Sequence, residues 1–211
     1  MSASVGKVDT SFEQPGSFAF TAENLEKAKA IIAKYPPGRQ QSAVMPLLDL
    51  AQRQSGNWLP RVAMDVVADM LGMPRIKAYE VATFYSMYNL KPIGKHFVQI
   101  CTTTPCWLVG SEAIVETCKK RLGIGLGETT PDGKFTLIEV ECLGACVNAP
   151  MAQINDDYYE DLTPENTLAL LDALADGKTA KPGSQTGRRG SQAASGPTSL
   201  HDFARAAGVE S

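Results

Sequence analysis

Five cysteines occur in 211 residues, and four of them fall into two pairs. The stretch "CTTTPC" sets Cys101 and Cys106 at C-x4-C, and "CLGAC" sets Cys142 and Cys146 at C-x3-C, with 35 residues between the pairs. Four such sulfurs suit a 2Fe–2S cluster, a tetrahedral zinc ion, or thiol redox chemistry. Structural zinc sites with four sulfurs usually start from C-x2-C knuckles, whose tight turn brings both sulfurs to one ion at about 2.3 Å. Neither pair has that spacing, and the wider loops better suit two irons with one pair on each. A C-x-x-C dithiol is also absent. The opening stretch "MSASVGKVDTSFEQPGSF" has no apolar segment of the secretory kind and no arginine, so neither a signal nor a transit peptide is expected. A chain kept in a reducing compartment rarely holds structural disulfides. On spacing and compartment, an iron–sulfur cluster is therefore favoured over zinc, and zinc over thiol chemistry.

These residues need elements to hold them. "KHFVQIC" and "KFTLIEVEC" read as strands, each ending at a cysteine, and "PDGK" reads as the turn before the second. "WLVGSEAIVETCKKRLGI" returns to helical period and begins just after Cys106, which predicts a helix N-terminus beside the first pair. Its free N–H groups would favour thiolates. "MAQIN" predicts another short strand. "TPENTLALLDALADG" predicts a helix capped by Thr163, with Pro164 at its first position and Gly177 past its end. Strand, helix, strand, strand, helix over residues 93–177 predicts a small sheet with helices packed on it. Upstream, residues 20–92 carry four helical patterns punctuated by prolines and glycines: "FTAENLEKAKAIIAKYPPG", residues 42–54, "PRVAMDVVADMLG" and "PRIKAYEVATFYSMY". They predict a helical bundle. Residues 1–19 lack periodicity and read as flexible, and residues 178–211, rich in Gly, Ser and Ala, as an extended or disordered tail. The fold class expected is α+β.

Composition excludes several functions. The net charge is −3, yet residues 177–211 carry five cations against two anions, leaving the body at −6. An acidic body with no basic stripe argues against nucleic acid as a partner. No run approaches the roughly 20 apolar residues that cross a bilayer. Cys118 shares an apolar helix face with Ile114 and Leu122 and reads as a buried small hydrophobe. "GIGLG" is not G-x-G-x-x-G and follows a helix, so it reads as a helix end and loop. His96 and His201 have no ligand spacing to the cysteines. "NDDYYEDL" reads as a solvated turn before the last helix, with a partner-facing patch as the alternative. Trp107 follows a cysteine of the first pair and suits either shielding of the site or ordinary packing.

The text around the cysteines goes further. "VATFYSMYNLKPIGKHFVQIC", "CTTTPCWLVGS" and "GETTPDGKFTLIEVECLGACVNAPMAQINDDYYEDLTPENT" resemble the family of small 2Fe–2S chains, the E subunits, of NADH–quinone oxidoreductase, respiratory complex I, over about residues 15–185. The resemblance implies a thioredoxin-like 2Fe–2S ferredoxin domain preceded by a helical bundle. It implies that Cys101, Cys106, Cys142 and Cys146 ligate one 2Fe–2S cluster, with no acid, base or nucleophile in this chain. The cluster would accept one electron from the FMN of a neighbouring subunit, which binds NADH. The partners implied are that flavin subunit and the large iron–sulfur subunit. The location implied is the cytoplasmic side of a bacterial inner membrane or the mitochondrial matrix side, without a span of its own. Related chains serve NAD-linked hydrogenases and formate dehydrogenases, and an assembly module with a structural metal is a further alternative.

Overall fold

The computed structural model describes residues 12–193, 195 and 199–208, and the chain divides into two units, Met1–Ile93 and Gly94–Ser211. Within the first unit, the apolar residues spaced at helical period form α1 (Ala22–Ile32), α2 (Val44–Gln54), α3 (Arg61–Met70) and α4 (Arg75–Phe84). Thr21 caps α1 by accepting from the Asn24 N–H at 3.2 Å. Pro60 and Pro74 stand at the N-caps of α3 and α4, where no helical N–H is lost. Leu47, Leu48, Ala51, Val67 and Ala68 close the core, all fully buried.

A buried glutamine ties the far end of this unit together. Gln52 donates to the Met87 carbonyl at 3.0 Å and accepts from the Asn89 N–H at 2.7 Å. Residues 1–11 of the segment expected to be flexible lie outside the described residues. Residues 12–19 pack on the helices. Phe12 meets Trp58 edge-on at 5.4 Å, Gln14 accepts from the Arg61 N–H at 3.0 Å, and Gln54 donates to the Ala19 carbonyl at 2.8 Å.

The second unit is built on a mixed sheet in the order β2-β3-β1-β4-β5-β6. Its strands are β1 (His96–Cys101), β2 (Glu128–Thr129), β3 (Phe135–Val140), β4 (Ala152–Ile154), β5 (Asp157–Glu160) and β6 (Gly183–Ser184). β1 and β3 run parallel and in register from His96↔Phe135 to Cys101↔Val140. Parallel strands need a crossover, supplied here by α5 (Thr104–Leu108) and α6 (Ser111–Leu122). A central strand covered on both faces reads as a nearly continuous apolar run, and in β1 Phe97, Val98, Ile100 and Cys101 are all buried. α7 (Pro164–Ala175) has a full capping box between Thr163 and Asn166. Ile100, Leu137, Ile114 and Leu171 lie at the centre of the core between sheet and helices.

Three features differ from the sequence reading. The helix expected after Cys106 is broken in two, because Gly110 takes a left-handed φ of +98°. "NDDYYEDL" is not a solvated turn, for Asp157–Glu160 pairs with β4 and buries Tyr159. The tail read as extended or disordered contributes β6, parallel to β5, and then α8 (His201–Ala206). No helix among the described residues is long and apolar enough to cross a membrane.

Candidate functional site

The parallel register of β1 and β3 sends both chains out of the sheet at the same end. Cys101 is the last residue of β1, and its partner Val140 precedes Cys142 by two residues. Cys106 follows within the short helix α5, and Cys146 opens a 3-10 turn, Cys146–Asn148. Two loops that are distant in sequence are thereby tied side by side. Thr103 Oγ1 donates to the Glu141 carboxylate across them at 3.2 Å.

The two pairs differ in environment. Cys101 and Cys106 are buried, each 1% exposed, against Met151, while Cys142 and Cys146 are exposed. Cys142 and Cys146 bring their sulfurs to 3.3 Å of each other. Burial raises the pKa of the Cys101 thiol, but hydrogen bonds from the Thr103 and Leu143 backbone and from Cys106 outweigh it and hold the thiol below its usual range. Cys106, desolvated and donating to Cys101, is pushed up to about 12. In the second pair, the hydrogen bond to Cys142 pushes the Cys146 thiol up. The pairs also feel each other, since charge on Cys146 disfavours ionisation of Cys106, and charge on Cys101 disfavours that of Cys146.

Two thiol pairs near enough to feel each other's charge offer the four-cysteine donor set that a 2Fe–2S cluster takes. Among the described residues, no three His, Cys, Asp or Glu side chains gather into a site for one metal ion. The apolar floor of Met151, Leu143, Ala145 and Ala149 suits a group that must be kept from water. Tyr158, within the segment expected to form a solvated turn, donates its hydroxyl to the Leu143 carbonyl at 2.8 Å and so braces the second loop from within. Its signal in the sequence was only the pair of adjacent aromatics.

The other candidates fall away from the site. Cys118 is 1% exposed in the core, and burial pushes its thiol up to about 12. His96 lies against Phe135 at 5.1 Å, and His201 sits in α8. Gly123 ends α6 with a φ of +68°, so "GIGLG" is a helix end and loop. Trp107 is 54% exposed and donates its ring N–H to Glu112 at 3.1 Å, outside any packed core. Leu108, Val109 and Val147 are exposed as well, so apolar surface follows a cysteine on both loops.

The second unit is thus a mixed sheet that carries two thiol pairs at the end of its parallel strands. Residues 28–175 match the family model described as thioredoxin-like [2Fe-2S] ferredoxin. The E subunit of NADH-quinone oxidoreductase from Rickettsia bellii is 63% identical over 158 residues, which is 75% of this chain and 95% of that one. The mitochondrial NADH dehydrogenase [ubiquinone] flavoprotein 2 of Dictyostelium discoideum is 58% identical over 183 residues, 87% of this chain and 74% of that one. The chain belongs to the thioredoxin-like [2Fe-2S] ferredoxin family and, within it, to the E subunits of NADH-quinone oxidoreductase. Among solved structures, an NAD+-reducing [NiFe]-hydrogenase in the H2-reduced state shares the fold over 64% of this chain, with a TM-score of 0.55 at 20% identity. The matched part is 23% of that hydrogenase chain.

Proposed function

We propose that this chain is the small electron-transfer subunit of an NADH-quinone oxidoreductase and that Cys101, Cys106, Cys142 and Cys146 hold one 2Fe–2S cluster. The observation that carries the reading is the two-and-two set of thiols brought to one end of the sheet by the β1–β3 register. When bound, the cluster supplies a site that takes up and releases a single electron. The chain's own residues do the rest. Cys101 and Cys106 anchor the buried side, and Cys142 and Cys146 the exposed side. The Thr103 and Leu143 backbone offers hydrogen bonds to the Cys101 sulfur, and the Met151 backbone to Cys106. Such bonds, with burial, tune a cluster's potential.

In this reading FMN and NADH belong to a neighbouring subunit, and the electron arrives from that flavin. A large iron–sulfur subunit is the second partner. Exposed apolar side chains beside both loops, Trp107, Leu108, Val109 and Val147, support docking there. The chain would sit peripherally on the cytoplasmic side of a bacterial inner membrane or the matrix side of a mitochondrial one. The hydrogenase likeness favours a second reading, the equivalent chain of an NAD-linked hydrogenase, but 20% identity against 63% sets it behind.

The test begins with the full chain purified without oxygen. Two irons and two sulfides per chain, with a 2Fe–2S electron spin signal on reduction, are expected; Cys101→Ser, C106S, C142S and C146S should each lose it. A colourless chain with one zinc per molecule would refute the cluster. Pull-down with identification of the partner chains separates the oxidoreductase from the hydrogenase. In the assembled enzyme, C142S that loses the cluster yet keeps full NADH oxidation would make the metal structural.

A further inference from the structure

The segment after α7 returns to the loop that carries the second cysteine pair. Its anchor is β6, parallel to β5 with Tyr159↔Gly183 and Glu160↔Ser184 in register, and extended by the Gln185 N–H donating to the Glu160 carbonyl at 2.9 Å. Five residues along, Arg188 reaches back. Its Nε donates to Asp161 Oδ2 at 3.0 Å, and its Nη2 donates to the other carboxylate oxygen, making a two-pronged pair. The same Nη2 donates to the Val147 carbonyl at 3.3 Å, and Nη1 to the Gln192 carbonyl at 3.3 Å. Ser184 Oγ adds a bond to Asp161 at 2.6 Å.

A second tie joins the same two stretches. Asn148, 2% exposed, donates its side-chain amide to the Gly190 carbonyl at 2.7 Å and to the Glu160 carboxylate. The Asp161 N–H in turn donates to the Asn148 carbonyl at 2.8 Å. Val147 and Asn148 are the two residues that follow Cys146, and both are gripped from the tail. The Arg188 and Asp161 side chains are 19% and 12% exposed, so theirs is a sheltered two-pronged pair and not a solvated surface bridge.

The first cysteine pair needs no such help, since Cys101 lies in β1 and Cys106 in α5. Residues 142–148 have no regular structure beyond one 3-10 turn. Tyr158 braces that loop from within, and the tail closes on it from outside.

We propose that residues 183–192 form a strap over the second cysteine loop, with Arg188 as a positioning residue that fixes Cys142 and Cys146 for cluster retention. This rests on the reading of the four cysteines as ligands. Arg188 is not itself a ligand; it acts through the Val147 carbonyl and through Asp161, whose backbone N–H holds Asn148.

The test compares full-length, cluster-loaded Arg188→Ala and R188K with R189A, which removes a neighbouring positive charge from the same segment. Three quantities are read: the rate of iron release to a ferrous chelator, the spin signal and midpoint potential of the reduced cluster, and hydrogen exchange of amides 143–149. R188A should release iron about tenfold faster, as expected for losing hydrogen bonds from a charged group. It should also shift the spin signal and potential and speed the exchange. R188K should fall between R188A and wild type, and R189A should match wild type. Equal behaviour of R188A and R189A in all three readouts would overturn the strap. If R188A does not fold, R188K decides by the same comparison. A wild-type chain that carries no 2Fe–2S cluster overturns the ligand reading instead; the strap is then judged by amide exchange alone, which must still rise in R188A.

Discussion

Replacing Gly94 by alanine tests how tightly the two parallel strands are set. Gly94 stands just before β1, separated from it by Lys95 alone, and lies over the start of β3. A Cβ there would stand 2.7 Å from the Phe135 carbonyl carbon, 2.8 Å from its nitrogen and 3.0 Å from the Lys134 carbonyl carbon. Carbon contacts settle at about 3.5–4.0 Å, so the strands must part by roughly 0.7 Å. All three obstacles are backbone, and no rotamer change relieves them. Three bonds span this point: Gly94 N–H to Thr136 Oγ1 at 2.6 Å, His96 N–H to the Lys134 carbonyl at 2.7 Å and Lys95 N–H to the Gly133 carbonyl at 3.0 Å. Overpacking costs about 1–3 kcal/mol and one weakened hydrogen bond about 1 kcal/mol. The stiffer unfolded chain offsets about 0.4–1 kcal/mol. The net loss is about 1–4 kcal/mol, which should lower a urea midpoint by roughly 1 M at the usual slopes.

The chain has two tryptophans, Trp58 in the first unit and Trp107 in the second, so in a Trp58→Phe background the fluorescence of Trp107 reports the second unit alone. Gly125→Ala is the control. Its Cβ would meet only the flexible carboxylate end of Glu128, at 3.3 Å, and stability should stay within about 0.5 kcal/mol. Equal midpoints for G94A and G125A would refute the close approach of the strands.

Two further outcomes follow from the same unit. Tyr158→Phe removes the hydroxyl bond to the Leu143 carbonyl; it should cost about 1 kcal/mol and speed amide exchange at residues 143–146 while leaving exchange in β1 unchanged. Cys118, held near 12 by burial, should resist alkylation in the native chain. Its folded pKa is raised, so its thiol leaves stability untouched below about pH 8.5. As pH climbs from there toward 12, the unfolded chain ionises first and stability falls by about 1.4 kcal/mol per pH unit. Urea midpoints at pH 8 and pH 10.5 should show that extra loss in wild type and not in Cys118→Ala.

The sequence shows the ligand candidates by residue type and the strands that end on them by period, because both signals are local. What brings the pairs together is a register, Cys101 beside Val140, that no local pattern contains. The parts missed are long-range for the same reason. β6 is two residues long, too short for any period, and exists only because β5 offers an open edge. β5 itself buries one residue fully, Tyr159, among acidic neighbours that read as solvated. Arg188 finds Asp161 across 27 positions, and Thr103 finds Glu141 across 38. In the helical unit, Gln54 holds Ala19 across 35 positions.

In the second unit these omissions converge on one place. Tyr158, Asn148, Asp161 and Arg188 all act on the stretch from Cys142 to Asn148, the half of the site with least regular structure of its own. The buried pair inherits its geometry from a strand and a helix, which hydrophobic period announces. The exposed pair depends on side-chain bonds from β5 and from the tail. Loss of Arg188 or of the Tyr158 hydroxyl should therefore loosen Cys142 and Cys146 while Cys101 stays in register with Val140, so damage to the site would begin on its exposed side.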